Sequence, residues 1–163
     1  MPKKLALGLL ATALVAAPLS AAAAGARSDA TAATTLRVAY NKKLERSIVV
    51  DARGMSLYMF ARETKGYPVC LPSRDRRCAE VWPALKTADQ PTAGRGISAS
   101  LVGTAAWPDG TLQVTYNNHP LYHFHGGHGF SAGDRRPGQV RGQGIGGLWW
   151  VLSPKGKPIK EIT

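Results

Sequence analysis

Two stretches of this 163-residue chain repeat one another. VVDARGMSLYMF (49–60) and VTYNNHPLYHF (114–124) each read as a strand, a turn and a Leu-Tyr-x-Phe strand, with the second turn one residue shorter. Leu57-Tyr58-Met59-Phe60 falls on Leu121-Tyr122-His123-Phe124. Downstream, after a loop of variable length, Trp82-Pro-Ala-Leu85 is set against Trp150-Val-Leu152. A hairpin plus a tryptophan-bearing segment is too small to bury its own aromatic face, so the two copies must pack on each other to make one core. The expected fold is therefore all-β. It is a small antiparallel domain of two pseudo-repeats, one over about 44–85 and the other over about 111–157.

The rest of the chain agrees with that class. No long stretch places apolar residues at i, i+3, i+4 and i+7. Short apolar or alternating runs recur instead, broken by turn residues. LRVAY (36–40), ISASLVGTAAW (97–107) and LWWVLSP (148–154) are such runs. Asp51-Ala-Arg-Gly54 and Pro108-Asp-Gly110 supply turns, and Asn117-Asn118 suits a two-residue hairpin because Asn tolerates left-handed φ. CAEVWPAL (78–85) has room for at most one helical turn before Pro83 ends it.

The first residues read as an address. Met1-Pro-Lys-Lys4 is cationic, Leu5 to Leu19 is apolar, and Ser20 to Ala26 is a run of small residues, the three-part layout of a secretory signal peptide over 1–26. Cleavage after Ala24 or Ala26 is expected. A membrane anchor is the competing reading, but a bilayer core needs about 20 apolar residues and this shorter run contains Pro18. Residues 27–36 then form a polar lead-in, and 37–163 the β domain. No cysteine lies near the cleavage region, so no lipid anchor and no transmembrane segment are expected in the mature chain. The Lys-Lys start and Ala-rich run are of bacterial type, which places the protein in a periplasm or in the medium.

The formal charge is +11. Arg74, Arg76, Arg77, Arg135, Arg136 and Arg141 sit in loop-like stretches, where they would draw the protein to anionic envelope components or simply keep it soluble. No aromatic residues interleave these arginines as a nucleic-acid platform requires, so no specific nucleic acid is expected. The two cysteines, Cys70 and Cys78, are eight positions apart across a turn-forming loop. In an exported chain that spacing favours a structural disulfide. A redox dithiol is the alternative, though it usually takes the Cys-x-x-Cys form.

These motifs resemble a known family. Leu-Tyr-x-Phe with Trp-Pro-x-Leu, and Asn-x-His-Pro-Leu-Tyr-x-Phe with Gly-Gln-Gly-x-Gly-Gly-x-Trp-Trp, are similar to the bacterial "secreted repeat of unknown function" family over roughly residues 44–157. Its members are exported proteins, often lipoproteins, marked by a Tyr-x-aromatic-x-x-Asp motif. The resemblance assigns Tyr58, Phe60 and Glu63 to that motif in the first copy and Tyr122 and Phe124 in the second, where Gly127 occupies the acidic position. The second copy is thus expected to have lost its acid. A cysteine pair before the Trp-Pro segment also fits the family, with a longer loop here. The lipid-accepting cysteine is missing. The family brings no activity with it.

Little else points to chemistry. Gly142-Gln-Gly-Ile-Gly-Gly147 spells G-x-G-x-x-G, but a strand follows where dinucleotide binding needs a helix, so the segment reads as a tight loop beside core tryptophans. No nucleophile sits in an elbow and no carboxylate pair is spaced for acid–base work. Asp134, beside Arg135 and Arg136, reads as half of a loop ion pair. The four histidines, His119, His123, His125 and His128, fall within ten positions. In an extended segment His123 and His125 share one face, opposite Tyr122 and Phe124, with Cα atoms about 6.8 Å apart. Gly126-Gly127 could return His128 to them as a third ligand, while His119 lies farther off. Imidazoles suit Cu²⁺ or Zn²⁺. The first copy has Met59 and Ala61 at the two matching positions, so the scaffold itself does not need imidazole there. The sequence reads best as an exported, non-enzymatic binding protein that requires no cofactor. The alternative is a copper- or zinc-binding protein using His123, His125 and His128. The ligand and the oligomeric state are not written in the sequence.

Overall fold

The computed structural model describes Met1, residues 34–63 and residues 66–161. The expected signal peptide therefore lies outside the described residues, apart from Met1. The polar lead-in expected over 27–36 ends sooner than that, because β1 (Thr35–Asn41) already contains Thr35 and Leu36, and Leu36 is fully buried.

β1 pairs antiparallel with β2 (Arg46–Asp51), from Leu36 opposite Asp51 to Asn41 opposite Arg46. β3 (Tyr58–Phe60) follows, then α1 (Arg76–Val81), β4 (Lys86–Thr87), β5 (Thr92–Ala93), β6 (Val102–Ala106), β7 (Leu112–Tyr116) and β8 (His119–Pro120). A two-stranded hairpin, β9 (Gly126–Gly127) with β10 (Phe130–Ala132), precedes β11 (Trp149–Val151). The sheets are β2-β1-β5, β4-β7-β6 with β8 joined to β7, β3-β11, and β9-β10. Every pairing of named strands is antiparallel except β1 with β5, which departs from a wholly antiparallel domain.

The one α-helix among the described residues begins before the expected turn. Asp75 caps it by accepting the Cys78 amide (2.9 Å), and Pro83 stands two residues past its end, where it cannot extend the ladder. Cys70 and Cys78 are joined in a disulfide that ties this helix to the loop before it. Asn117 and Asn118 take left-handed φ of 50° and 60° and turn β7 into β8, as two asparagines at a tight hairpin should.

The two copies meet about a pseudo-twofold relation. Tyr58 and Tyr122 bridge each other, each amide donating to the other's carbonyl at 2.9 Å. Tyr58 then pairs with Val151 and Tyr122 with Ala84. Ala61 donates to Leu148, and His125 to Val81, both at 2.8 Å. The tryptophans obey the same relation: Trp82 and Trp149 stack face to face at 3.8 Å and 2°. Tyr58 meets Trp82 edge-on at 5.4 Å, and Tyr122 meets Trp149 edge-on at 5.3 Å. This corrects the pairing of Trp82 with Trp150. The counterpart is Trp149, and the matched tetrapeptides are Trp82–Leu85 and Trp149–Leu152.

Strand alternation splits the buried side chains into two clusters. Tyr58, Tyr122, Phe124, Trp82 and Trp149 lie in one. Leu57, Met59, Leu121, Leu85, Leu152 and Trp150 lie in the other. Each large aromatic ring takes roughly 150–250 Å² from water, a gross gain of about 4–6 kcal/mol at ~25 cal/mol/Å². The stacked pair is thus the natural keel of the fold.

Candidate functional site

The buried tyrosines carry hydroxyls that need partners, and each finds one in the other repeat. The Tyr122 hydroxyl donates to Glu63 Oε1 at 2.6 Å, and the Tyr58 hydroxyl donates to Asp134 Oδ2 at 2.5 Å. Glu63 Oε1 also accepts the Val69 amide at 2.7 Å, and Asp134 Oδ1 accepts the Arg141 amide at 2.9 Å. The backbone repeats the correspondence, since Glu63 donates to Phe60 at 3.0 Å and Asp134 to Phe124 at 2.8 Å. Asp134 is therefore the acid of the second copy. The expectation that Gly127 had replaced it is overturned, and so is the reading of Asp134 as half of a loop ion pair. The β9–β10 hairpin, inserted at 126–132, displaced the acid along the sequence and left it in place in the fold.

Burial shapes this pair. It pushes both tyrosine hydroxyls well above their ordinary range, helped by the facing carboxylates. It also raises the Glu63 carboxyl against three hydrogen bonds that favour the charged form, from Tyr122, Val69 and Cys70. Glu63 Oε2 is buried without a partner. Gly142 completes the other half by donating its amide to the Tyr58 hydroxyl at 3.2 Å. A Cβ at Gly142 would stand 2.7 Å from Trp82 Cη2 and 3.0 Å from Tyr58 Cε1. The glycine-rich segment is thus a close-packed loop against the core, as its sequence context implied. These tyrosines and acids hold the halves together, and of the four only Asp134 also borders the cleft described next.

The histidines divide. His123 and His125 do share a face, because their amides bond Pro83 and Val81 in alternation with Tyr122, which bonds Tyr58. Both line a cleft of about 360 Å³ with Arg53, Met55, Ser56, Asp134 and Arg135. Met59, the counterpart of His123, is buried opposite Trp150 instead, so the cleft lies where the turn of the first copy meets the histidine-bearing segment of the second.

His128 is carried elsewhere. Gly126, Gly127, His128 and Gly129 all take positive φ, and the hairpin leans on α1, where His128 Nε2 meets Glu80 Oε2 at 2.7 Å and its carbonyl accepts from Arg77. Gly126-Gly127 therefore leads His128 away from the other two. His119 lies on β8, with Nδ1 buried and unpartnered and its protonation disfavoured by burial. Among the described residues no three His, Cys, Asp or Glu side chains group as a metal centre would need. The three-histidine constellation expected from the sequence is not assembled.

Around the cleft the carboxylates are already satisfied. Asp51 Oδ1 accepts the Arg53 and Met55 amides at 2.9 and 2.8 Å, and Oδ2 faces His123 Nε2 at 3.1 Å and the Arg53 guanidinium at 3.3 Å. Burial alone would raise the Asp51 carboxyl, but His123, the Met55 amide and Arg53 outweigh it and hold it at about 2. His125 is exposed, yet its protonation is disfavoured by partial burial and by His123, Arg135 and Arg53 nearby. Sequence reasoning missed Arg53 as a cleft residue and Asp51 as the carboxylate that holds His123. The signal was their place in the first turn, Asp51-Ala-Arg-Gly54, opposite the histidine-bearing segment.

A fold built from two crossed copies of one β unit, with this cleft formed between the first copy's turn and the second copy's histidine segment, defines a duplicated all-β scaffold. Residues 103–153, from the start of β6 through β11, match the family described as a secreted repeat of unknown function, the family its motifs resembled. No curated protein and no solved structure matches the chain. No helix among the described residues is long and apolar enough to cross a membrane.

Proposed function

We propose that this protein is an exported, non-enzymatic binding protein that takes its ligand in the Arg53–His123–His125–Arg135 cleft. Export is supported by the secreted character of its family, by the disulfide and by the expected signal peptide. The observation that carries the binding reading is the division of labour in the cleft. Both carboxylates that could serve as a base, Asp51 and Asp134, are committed to backbone amides and to His123 or Tyr58. The groups left facing the cleft are two guanidinia, which only donate, and two imidazoles, while the Ser56 hydroxyl there is committed to the Gln139 carbonyl. With no free hydroxyl or thiol among the described residues beside the imidazoles, that arrangement favours holding a ligand over turning one over.

The test is retention on isolated cell envelopes. The intact protein should co-sediment with them, and the charge-removing pair Arg53→Gln/Arg135→Gln should wash away. Absence of retention refutes envelope binding, and accumulation of a released product with time refutes the non-enzymatic reading.

A second reading, Cu²⁺ or Zn²⁺ binding, keeps one observation in its favour: His123 and His125 line the same cleft from the same face. It is now a two-imidazole site without His128. It requires a rise in melting temperature at micromolar metal that vanishes in His123→Ala/His125→Ala. An unchanged melting temperature at neutral pH eliminates it.

A further inference from the structure

We infer that the group bound in this cleft is a phosphate, presented either as free phosphate or as a phospholipid headgroup. The inference rests on the binding-protein reading above. Two guanidinia and two imidazoles converge on a space of about 360 Å³. Guanidinium forks match the oxygens of phosphate in pairs, and imidazole adds single donors. A planar carboxylate offers two oxygens and leaves part of this set unused. A tetrahedral oxyanion presents four oxygens and can engage it from several directions.

The acids nearby do not oppose such a ligand strongly. Asp134 lines the cleft, but its oxygens receive the Tyr58 hydroxyl and the Arg141 amide. Asp51 lies behind His123 and fixes that ring through Nε2 (3.1 Å), and Nδ1 donates to an oxyanion only when the ring carries both protons. Arg53 reaches Asp51 with its guanidinium while its side chain stays 77% exposed, so it retains donors for the cleft.

The experiment is a calorimetric titration of the intact protein with inorganic phosphate. Saturable binding with half-saturation at or below about 10 mM is expected, weakened at least about tenfold in Arg53→Gln/Arg135→Gln. Arg74→Gln/Arg76→Gln removes the same charge outside the cleft and should leave binding within about twofold. No saturable binding, or equal loss in both arginine pairs, overturns the inference. Vesicles of phosphatidic acid and of phosphatidylcholine separate the sources. Vesicle binding that phosphate competes away identifies the headgroup, and vesicle binding that is absent or indifferent to the cleft substitutions identifies free phosphate. If phosphate fails while envelope retention is still lost in Arg53→Gln/Arg135→Gln, only the phosphate assignment falls. If retention is unaffected as well, the cleft reading falls with it.

Discussion

Removing the two tyrosine hydroxyls one at a time measures how far the crossed hydrogen bonds hold the halves together. Tyr122→Phe deletes a buried bond of 2.6 Å to Glu63, whose Oε1 keeps the Val69 amide. A hydrogen bond to a charged group contributes about 1.5–3 kcal/mol, and the acid retains a second donor, so a loss of about 2 kcal/mol is expected. Tyr58→Phe deletes the 2.5 Å bond to Asp134 and also strips the Gly142 amide of its acceptor. Orphaning a buried donor adds about 1 kcal/mol, so the loss should approach about 3 kcal/mol. Neither change alters ring volume, and the stacking with Trp82 and Trp149 should survive. Urea denaturation at neutral pH, followed by tryptophan fluorescence, reads both values provided the slope of stability against urea stays constant. If both variants lie within about 0.5 kcal/mol of wild type, the crossed bonds are not structural. A larger loss in Tyr122→Phe than in Tyr58→Phe would refute the assignment of Gly142 to the Tyr58 hydroxyl.

Glu63→Gln should shift the pH dependence of stability. The Glu63 carboxyl is raised in the folded state, so its neutral form is favoured there, and the wild type loses stability as pH rises from the unfolded carboxyl value through the folded one. Measured against Glu63→Gln, the wild type should therefore compare less favourably at pH about 8 than at about 4. A difference independent of pH rejects this. Asp51→Asn works in the opposite direction. The Asp51 carboxyl is held at about 2, so its stabilisation is present at neutral pH and fades as pH falls toward that value. The variant should be less stable than wild type at pH about 6 and converge with it between about 4 and 2, read from thermal melts across that window. A gap that persists unchanged at low pH sinks the argument.

The duplicated scaffold was legible in the sequence because Leu-Tyr-x-Phe records strand alternation directly. The alternation sends Leu57 and Leu121 to one cluster and Tyr58, Tyr122 and Phe124 to the other. The shared face of His123 and His125 followed from the same rule. Three things escaped it. The tryptophan register slipped by one because Trp149 and Trp150 are adjacent, and only the stacking on Trp82 tells them apart. The second acid was hidden by the hairpin at 126–132, since a motif spacing cannot anticipate an insertion that the fold loops out. The path of His128 was set by a run of positive φ, and glycine permits many directions without naming one. Gly133 would have been a clue: a Cβ there would collide with the His125 backbone, which marks where the inserted strands close.

The crossing of the two tyrosines sets the order in which the molecule can be finished. Tyr58 waits for Asp134, and Tyr122 reaches back to Glu63, so each half supplies the last part of the other. For a chain delivered N-terminus first, the leading half stays incomplete until most of the trailing half has arrived. Such long-range closure delays folding to the end of delivery. Under the export proposed above, a chain threaded through a membrane unfolded would find no finished half-core to close on before its second copy arrives.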